Sequence, residues 1–321
     1  MEKTMIIIRR YTPADSEEWD AFVRKAKNGS FLNERNYMDY HSDRFHDHSL
    51  MAFSDDKLIA LLPANEREET LYSHQGLTFG GWITDTRMTA AMMLDVFEKM
   101  NVYLHDNGFT KLIYKALPHI YHRYPAEEDL YAIFRNANYR IIGRDIATTV
   151  MREHPLKWAK GRHCGINKAK KAGVEIEMTD DFSDFWKVLE HNLKVTYNAK
   201  PVHTLDEIHL LKSRFPREIQ LCQARRNGNV VAGILLYNYG HLIRTQYISA
   251  NEEGKEHSAI DLIVDYLFNS DVFPAEQYPV FDFGKSTEDM GKVLNEKLIF
   301  QKEGFGGRGV CYDTYEIRVD G

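Results

Sequence analysis

Apolar and polar positions along the chain follow helix and strand periods in one order that is used twice. Residues 6–9 form an apolar run of strand length, and Asp15 then precedes a helix with Glu18 three residues on, the spacing of a capping box. Trp19, Phe22, Val23 and Ala26 recur at i, i+3, i+4 and i+7, so this helix buries one stripe. Residues 50–53 and 58–64 read as the two strands of a hairpin about the polar turn Ser54-Asp55-Asp56-Lys57, closed by Pro63. A short strand at 70–73 follows, then a loop punctuated by Gly76, Gly80 and Gly81, and a helical pattern over 88–107 that Gly108 stops. Residues 111–116 return as an apolar strand.

From Phe182 the order recurs: a helix with Phe185, Trp186 and Leu189 on one face, a strand at 219–224, the turn Arg226-Asn227-Gly228-Asn229, and strands at 230–237 and 241–248. A helix over 258–269 and a strand at 280–283 complete it. Trp19 and Trp186, Leu94 and Leu262, Val96 and Val264, and Ile113 and Phe281 are separated by 167 or 168 residues, a long constant offset that reads as a duplicated domain rather than a solenoid. The expected organisation is therefore two α/β domains, 1–150 and 151–321. The closing stretch, residues 281–308, reads as a buried strand, a turn at Gly284, a polar helix ending near Lys297, and a Gly-rich segment that places Lys302 between Phe300 and Phe305.

Composition narrows the class. The 321 residues exceed what one core usually fills, and 43% hydrophobic with 27% charged residues is ordinary for a globular protein. No window offers the ~18 uncharged apolar residues of a membrane span, and the apolar run at 5–8 is too short for a secretory signal. Three widely spaced cysteines (Cys164, Cys222, Cys311) fit neither a disulfide framework nor zinc, so a reducing cytoplasm is the expected location. The net charge of −6 excludes a globally basic nucleic-acid binder. It leaves room for the local run from Pro155 to Gly173, with Lys157, Lys160, Arg162, Lys168, Lys170 and Lys171 and no acidic residue. That run is either a solvated helix face or a surface for phosphate.

The GxGxxG, Walker, HExxH and GxSxG patterns are missing, which removes the strongest dinucleotide, NTPase, zinc-protease and hydrolase signals. The 14 histidines include His41, His46 and His48 in one segment and His119 and His122 in another, without a Cys or carboxylate ligand spacing, so no metal is expected. Asp282 lies between Phe281 and Phe283 and points to the face opposite theirs, either toward a cleft or toward a neighbouring cation.

The order of elements in each half is that of the GNAT N-acyltransferase fold. Two tandem copies around Asn167-Lys168-Ala169-Lys170-Lys171-Ala172-Gly173-Val174 resemble the FemABX family of peptidoglycan-bridge aminoacyl transferases and their GNAT-like relatives. The family's FKxxFG element is matched by Phe300-Gln301-Lys302-Glu303-Gly304-Phe305-Gly306, with the lysine one residue further from the phenylalanine. Ser30-Phe31-Leu32 is similar to the family's SFLQS start, Asn33-Glu34 departs from it, and His41 stands where several members carry a lysine.

The resemblance implies two mixed sheets flanked by helices, and transfer of an acyl or aminoacyl group from acyl-CoA or aminoacyl-tRNA, as a loosely held co-substrate, to an amine of a cell-envelope precursor or small metabolite. Lys302 would steady negative charge at the ester or carrier phosphate, Asp282 would accept from the amine, and Tyr247 would protonate the leaving group. His41, Arg44, Arg162, Lys168, Arg244, Phe300 and Phe305 would bind substrate. Acetyl-CoA-dependent GNAT proteins place a Q/RxxGxG/A loop where this chain has Asn251-Glu252-Glu253-Gly254-Lys255-Glu256, whose glutamates oppose a pyrophosphate. That departure keeps open a non-catalytic ligand-binding protein on a degenerate GNAT fold. Nucleic-acid binding through residues 155–173 is a third reading.

Overall fold

The computed structural model describes residues 5–135 and 138–319. The chain forms two compact units, the first built from residues up to 145 with 288–293 and 311 onward, the second from 146–287 with 294–310. The units are thus interleaved, where the sequence suggested contiguous halves parted near 150.

In the first unit, strand Ile6–Arg10 pairs antiparallel with Leu50–Ser54, which pairs with Lys57–Leu62 and so with Ile83–Thr84. Asp55 and Asp56 both take positive φ (47° and 61°), the tight hairpin turn that matches the strands' right-handed twist. A second group of strands runs from residues 311–318 through Lys111–Lys115, Thr70–Tyr72 and Asn65–Arg67 to His46–Asp47. Helix Ala90–Asp106, capped by the Thr89 side chain, buries Met93, Val96, Phe97, Met100 and Leu104 against this core.

In the second unit the strands follow the order Glu175–Thr179, Ile219–Arg226, Asn229–Asn238, Leu242–Ala250, Val280–Lys285 and residues 146–151. Every pairing is antiparallel except Leu242–Ala250 with Val280–Lys285. Gly233 receives Phe185 from helix Ser183–Tyr197, while the adjacent Ile234 joins Ile263 of helix Ala259–Asn269 in the core, so helices cover both faces of the sheet. The duplication is visible in topology as well as spacing. In each unit a strand, a helix and a second strand parallel to the first follow a hairpin: Thr70–Tyr72, Ala90–Asp106 and Lys111–Lys115 in one, Leu242–Ala250, Ala259–Asn269 and Val280–Lys285 in the other.

The closing stretch differs from its sequence reading. Asp289, Met290 and Gly291 all have positive φ (47°, 56° and 89°), which breaks any helix over 286–297. Short strands Thr287–Glu288 and Val293–Leu294 stand there instead. The helix is Glu296–Glu303, capped by Asn295, and Lys302 is a buried residue within it rather than part of a glycine loop.

Among the described residues, no helix is long and apolar enough to cross a membrane and no group of three His, Cys, Asp or Glu is placed to hold a metal ion. In the first unit His41, His48 and His74 are buried, while His46 and His119 are exposed. His48 lies 2.7 Å from Glu66 Oε2 and 2.9 Å from the Tyr103 hydroxyl, and His74 stacks on His41 at 5.2 Å. Burial lowers the pKa of His48, takes His74 well below the ordinary histidine value, and brings His122 to about 4. Below pH ~6.5 the unfolded chain therefore binds protons that the folded chain refuses. Stability is expected to be complete above that pH and to fall toward pH 4, by up to ~1.4 kcal/mol per pH unit for each histidine. Urea midpoints at pH 7.5 and 5 check this, and equal midpoints would contradict it.

Candidate active site

The parallel pair in the second unit parts halfway along its length. Leu242, Ile243 and Arg244 pair with Val280, Phe281 and Asp282, and the ladder ends there. Each strand keeps its other neighbour: Leu242–Ala250 stays paired with Asn229–Asn238 to its end, and Lys285 pairs with Ala147. A register shift places Tyr247 opposite Leu235 and Thr245 opposite Leu236, so Gln246 bulges just past the parting. The result is an opening whose edges carry backbone groups that a continuous sheet would have satisfied.

Charged side chains gather where the strands separate. Asp282 is fully buried; its Oδ1 accepts from Thr149 Oγ1 (3.2 Å) and from the Gly284 N–H (2.9 Å), and its Oδ2 lies 3.9 Å from Arg244 Nε. Lys302, 5% exposed, donates to the carbonyls of Gly284 (2.9 Å) and Lys285 (2.7 Å) on the freed edge. Two of its three N–H donors are thereby engaged. Burial lowers the Lys302 pKa to about 8, with Arg244 acting in the same direction and Asp282 against it. Two desolvated cations around one carboxylate leave a surplus of positive charge, which an anion or a developing oxyanion would offset. The nearby Tyr239 hydroxyl is pushed up to about 12, chiefly by burial.

The opposite edge is polar and aromatic. The Tyr247 hydroxyl lies 2.8 Å from His203 Nδ1, accepts from the His203 N–H (3.3 Å), and its ring meets Trp186 edge to face at 5.6 Å. Burial raises the Tyr247 pKa. Gln246 Oε1, Ser249 Oγ and Trp186 Nε1 are buried here without a hydrogen-bond partner in the protein, which leaves donors and an acceptor for a ligand or water.

No family model matches the chain, and no curated protein matches it. Solved structures do. FemX superposes with a TM-score of 0.67 at 9% identity, covering 96% of this chain and 96% of its own. L-PGS from Bacillus licheniformis gives 0.61 at 13% identity, over 95% of this chain and 91% of that one. A tandem GNAT protein from the clavulanic acid biosynthesis pathway gives 0.52 at 8% identity, over 99% of both chains. The chain has a tandem GNAT-like fold.

Within the second copy of this tandem GNAT-like fold, Asp282, Arg244 and Lys302 come together, and Tyr247 lies three residues along the strand from Arg244. Phe305 is buried and stacks on Phe283 at 5.6 Å, so it supports the strand that carries Asp282. Arg162 lies over the Phe305 ring (5.0 Å) and pairs with Asp261 at 2.6 Å. Phe300 is 72% exposed, and Lys168 is exposed on helix Lys160–Lys171. His41 and Arg44 belong to the first copy, where His41 packs against Phe45 and His74 and Arg44 lies over Tyr40 at 5.5 Å. Over residues 251–256, where the sequence lacks a Q/RxxGxG/A loop, Asn251 caps a short helix, Glu252–Glu256, and Glu253 is tied to Arg226. A Cβ on Gly254 would fall 2.2 Å from the Val231 carbonyl oxygen, so this glycine serves close packing. Thr149, His203 and Tyr239 join the site without a signal in the sequence, since each comes from a separate segment with no motif spacing.

Proposed function

We propose that the second unit transfers an acyl or aminoacyl group from an activated carrier, acyl-CoA or aminoacyl-tRNA, to an amine of a cell-envelope precursor or small metabolite. The observation that carries this reading is the buried, positively charged cluster of Lys302, Arg244 and Asp282 at the parting of the two strands. The neutral amine attacks the carrier's acyl carbon, a C–N bond forms, the C–S or C–O bond to the carrier breaks, and the proton that the nitrogen sheds returns Tyr247 from phenolate to phenol. Lys302 offers its remaining N–H to the oxyanion of the tetrahedral intermediate. Tyr247 gives its hydroxyl proton to the leaving sulfur or oxygen, and its phenolate keeps the His203 N–H. Asp282 holds the two cations in place. Arg162 and Lys168 are the basic groups of the second unit assigned to the acceptor; Phe300 and Phe305 flank Lys302 in sequence.

A second reading, a ligand-binding protein without turnover, draws on the Glu252–Glu256 helix, which supplies no phosphate cradle. A thermal-shift screen against acyl-CoAs, aminoacyl-tRNAs and UDP-linked precursors separates the two. A carrier at 100 times its dissociation constant is expected to stabilise the protein by about 2.7 kcal/mol. A shift with a precursor and with no carrier would overturn the transferase reading in favour of the second.

A further inference from the structure

The second unit also holds a concave site lined by none of the residues at the strand opening. It is a cavity of about 490 Å³ whose lining includes Arg152, Lys157, Trp158, His163, Asp265 and Phe268. That volume lies within the range of small-molecule sites, ~300–1,000 Å³.

One side of the cavity is aromatic. Trp158 stacks on His163 at 6.1 Å with 27° between the planes, and meets Phe268 (5.5 Å) and Phe305 (5.2 Å) edge to face. The indole is thus fixed from three directions while remaining part of the cavity wall, which makes it a preorganised platform for a flat ligand.

The other side is cationic. Arg152 is only 8% exposed, and its guanidinium donates to the carbonyls of Phe268 (3.1 Å), Phe273 (2.6 Å) and Tyr278 (3.3 Å). Three of its five N–H donors are thereby used, and no carboxylate among the described residues forms an ion pair with it. Capping the end of helix Ala259–Asn269 explains the bond to Phe268; burial lowers the Arg152 pKa, and Glu276 opposes that only through space, without an ion pair. Lys157 adds a second, exposed cation to the lining. The cavity's carboxylate, Asp265, is already engaged by Lys170 at 3.1 Å and by the Asn269 amide at 2.8 Å. The balance of the site is positive beside a flat apolar wall.

We propose that this cavity binds a planar aromatic ring bearing a phosphate, the chemistry of a mononucleotide, with the ring on Trp158 and His163 and the phosphate on Lys157 and Arg152. The inference rests on no part of the transferase reading.

The protein's own fluorescence reads this out. Of the four tryptophans, Trp19, Trp82 and Trp186 are at most 2% exposed, so a stacking ligand acts on Trp158. AMP, adenosine and inorganic phosphate are titrated into the full chain. AMP is expected to quench saturably at millimolar concentration or below, adenosine to quench more weakly, and phosphate alone to leave the emission unchanged. Lys157→Ala should weaken AMP about 5-fold and leave adenosine unaffected. His163→Ala should weaken both about 10-fold. Both side chains are exposed, so folding is not at stake in either variant. Trp158→Phe keeps a ring and should remove the quench. Absence of saturable quenching by millimolar AMP, quenching that persists in Trp158→Phe, or unchanged AMP affinity in both alanine variants would each overturn the proposal.

Discussion

Replacing Asp282 with alanine is expected to destabilise the protein by about 3–5 kcal/mol, the cost of leaving buried charge without its partner. Asp282 has no exposed surface, and Arg244 and Lys302 are 7% and 5% exposed. Its carboxylate is the acidic group that acts on Lys302, and it also accepts from Thr149 and the Gly284 N–H. Alanine removes all of these at once, and no water-sized route to solvent is needed for the penalty to be felt. The effect should carry a signature in pH. Lys302 already titrates near 8, and without Asp282 it sheds its proton more readily, so the difference from wild type should narrow as pH rises from 7 to 9. Urea unfolding at the two pH values, read as midpoint at constant m-value, measures it. A loss below about 1 kcal/mol at pH 7 would mean that the cluster is solvated and not the desolvated group described above.

The second large effect concerns catalysis. If Lys302 must be an ammonium to steady the oxyanion, kcat/KM should fall on the alkaline side, about tenfold per pH unit above the free-enzyme value near 8. The sign follows from the lowered pKa: the active protonated form is complete below that pH and is lost above it. An ordinary lysine would hold its proton to beyond pH 10. Lys302→Arg, which keeps a charge that does not titrate in this range, should flatten the alkaline limb even where it lowers the overall rate. A wild-type profile that stays level to pH 9.5 would remove Lys302 from the chemical step.

Much of this architecture was legible from local pattern. The repeated stripe that buries Trp19 and Trp186, the Asp55-Asp56 and Asn227-Gly228 turns, and the strand that carries Asp282 all follow from periodicity and turn chemistry, which act over a few residues. The closing helix was misplaced because its polarity is inverted. Phe300 is 72% exposed while Lys302 is buried, the reverse of what side-chain preference favours. The reason is non-local: the parting of two strands leaves the Gly284 and Lys285 carbonyls in need of a donor, and the Lys302 side chain of the following helix supplies it. The interleaving of the units was equally hidden. Strand Arg308–Arg318 mixes charged, aromatic and small residues without a clear period, and its place beside Lys111–Lys115 is set by register across the fold. His203 gave no signal, being one histidine in a loop whose role depends on where Tyr247 falls.

The most direct measurement is single-turnover transfer from a labelled acyl or aminoacyl carrier, followed as loss of label from the carrier in wild type and Lys302→Met. Methionine matches the length of the lysine stem, so the comparison isolates the charge. Lys302→Met is expected to be slower than wild type by roughly 100-fold or more, the cost of one preorganised oxyanion donor. Transfer at the wild-type rate in folded Lys302→Met would contradict the assignment of the strand opening as the reaction site.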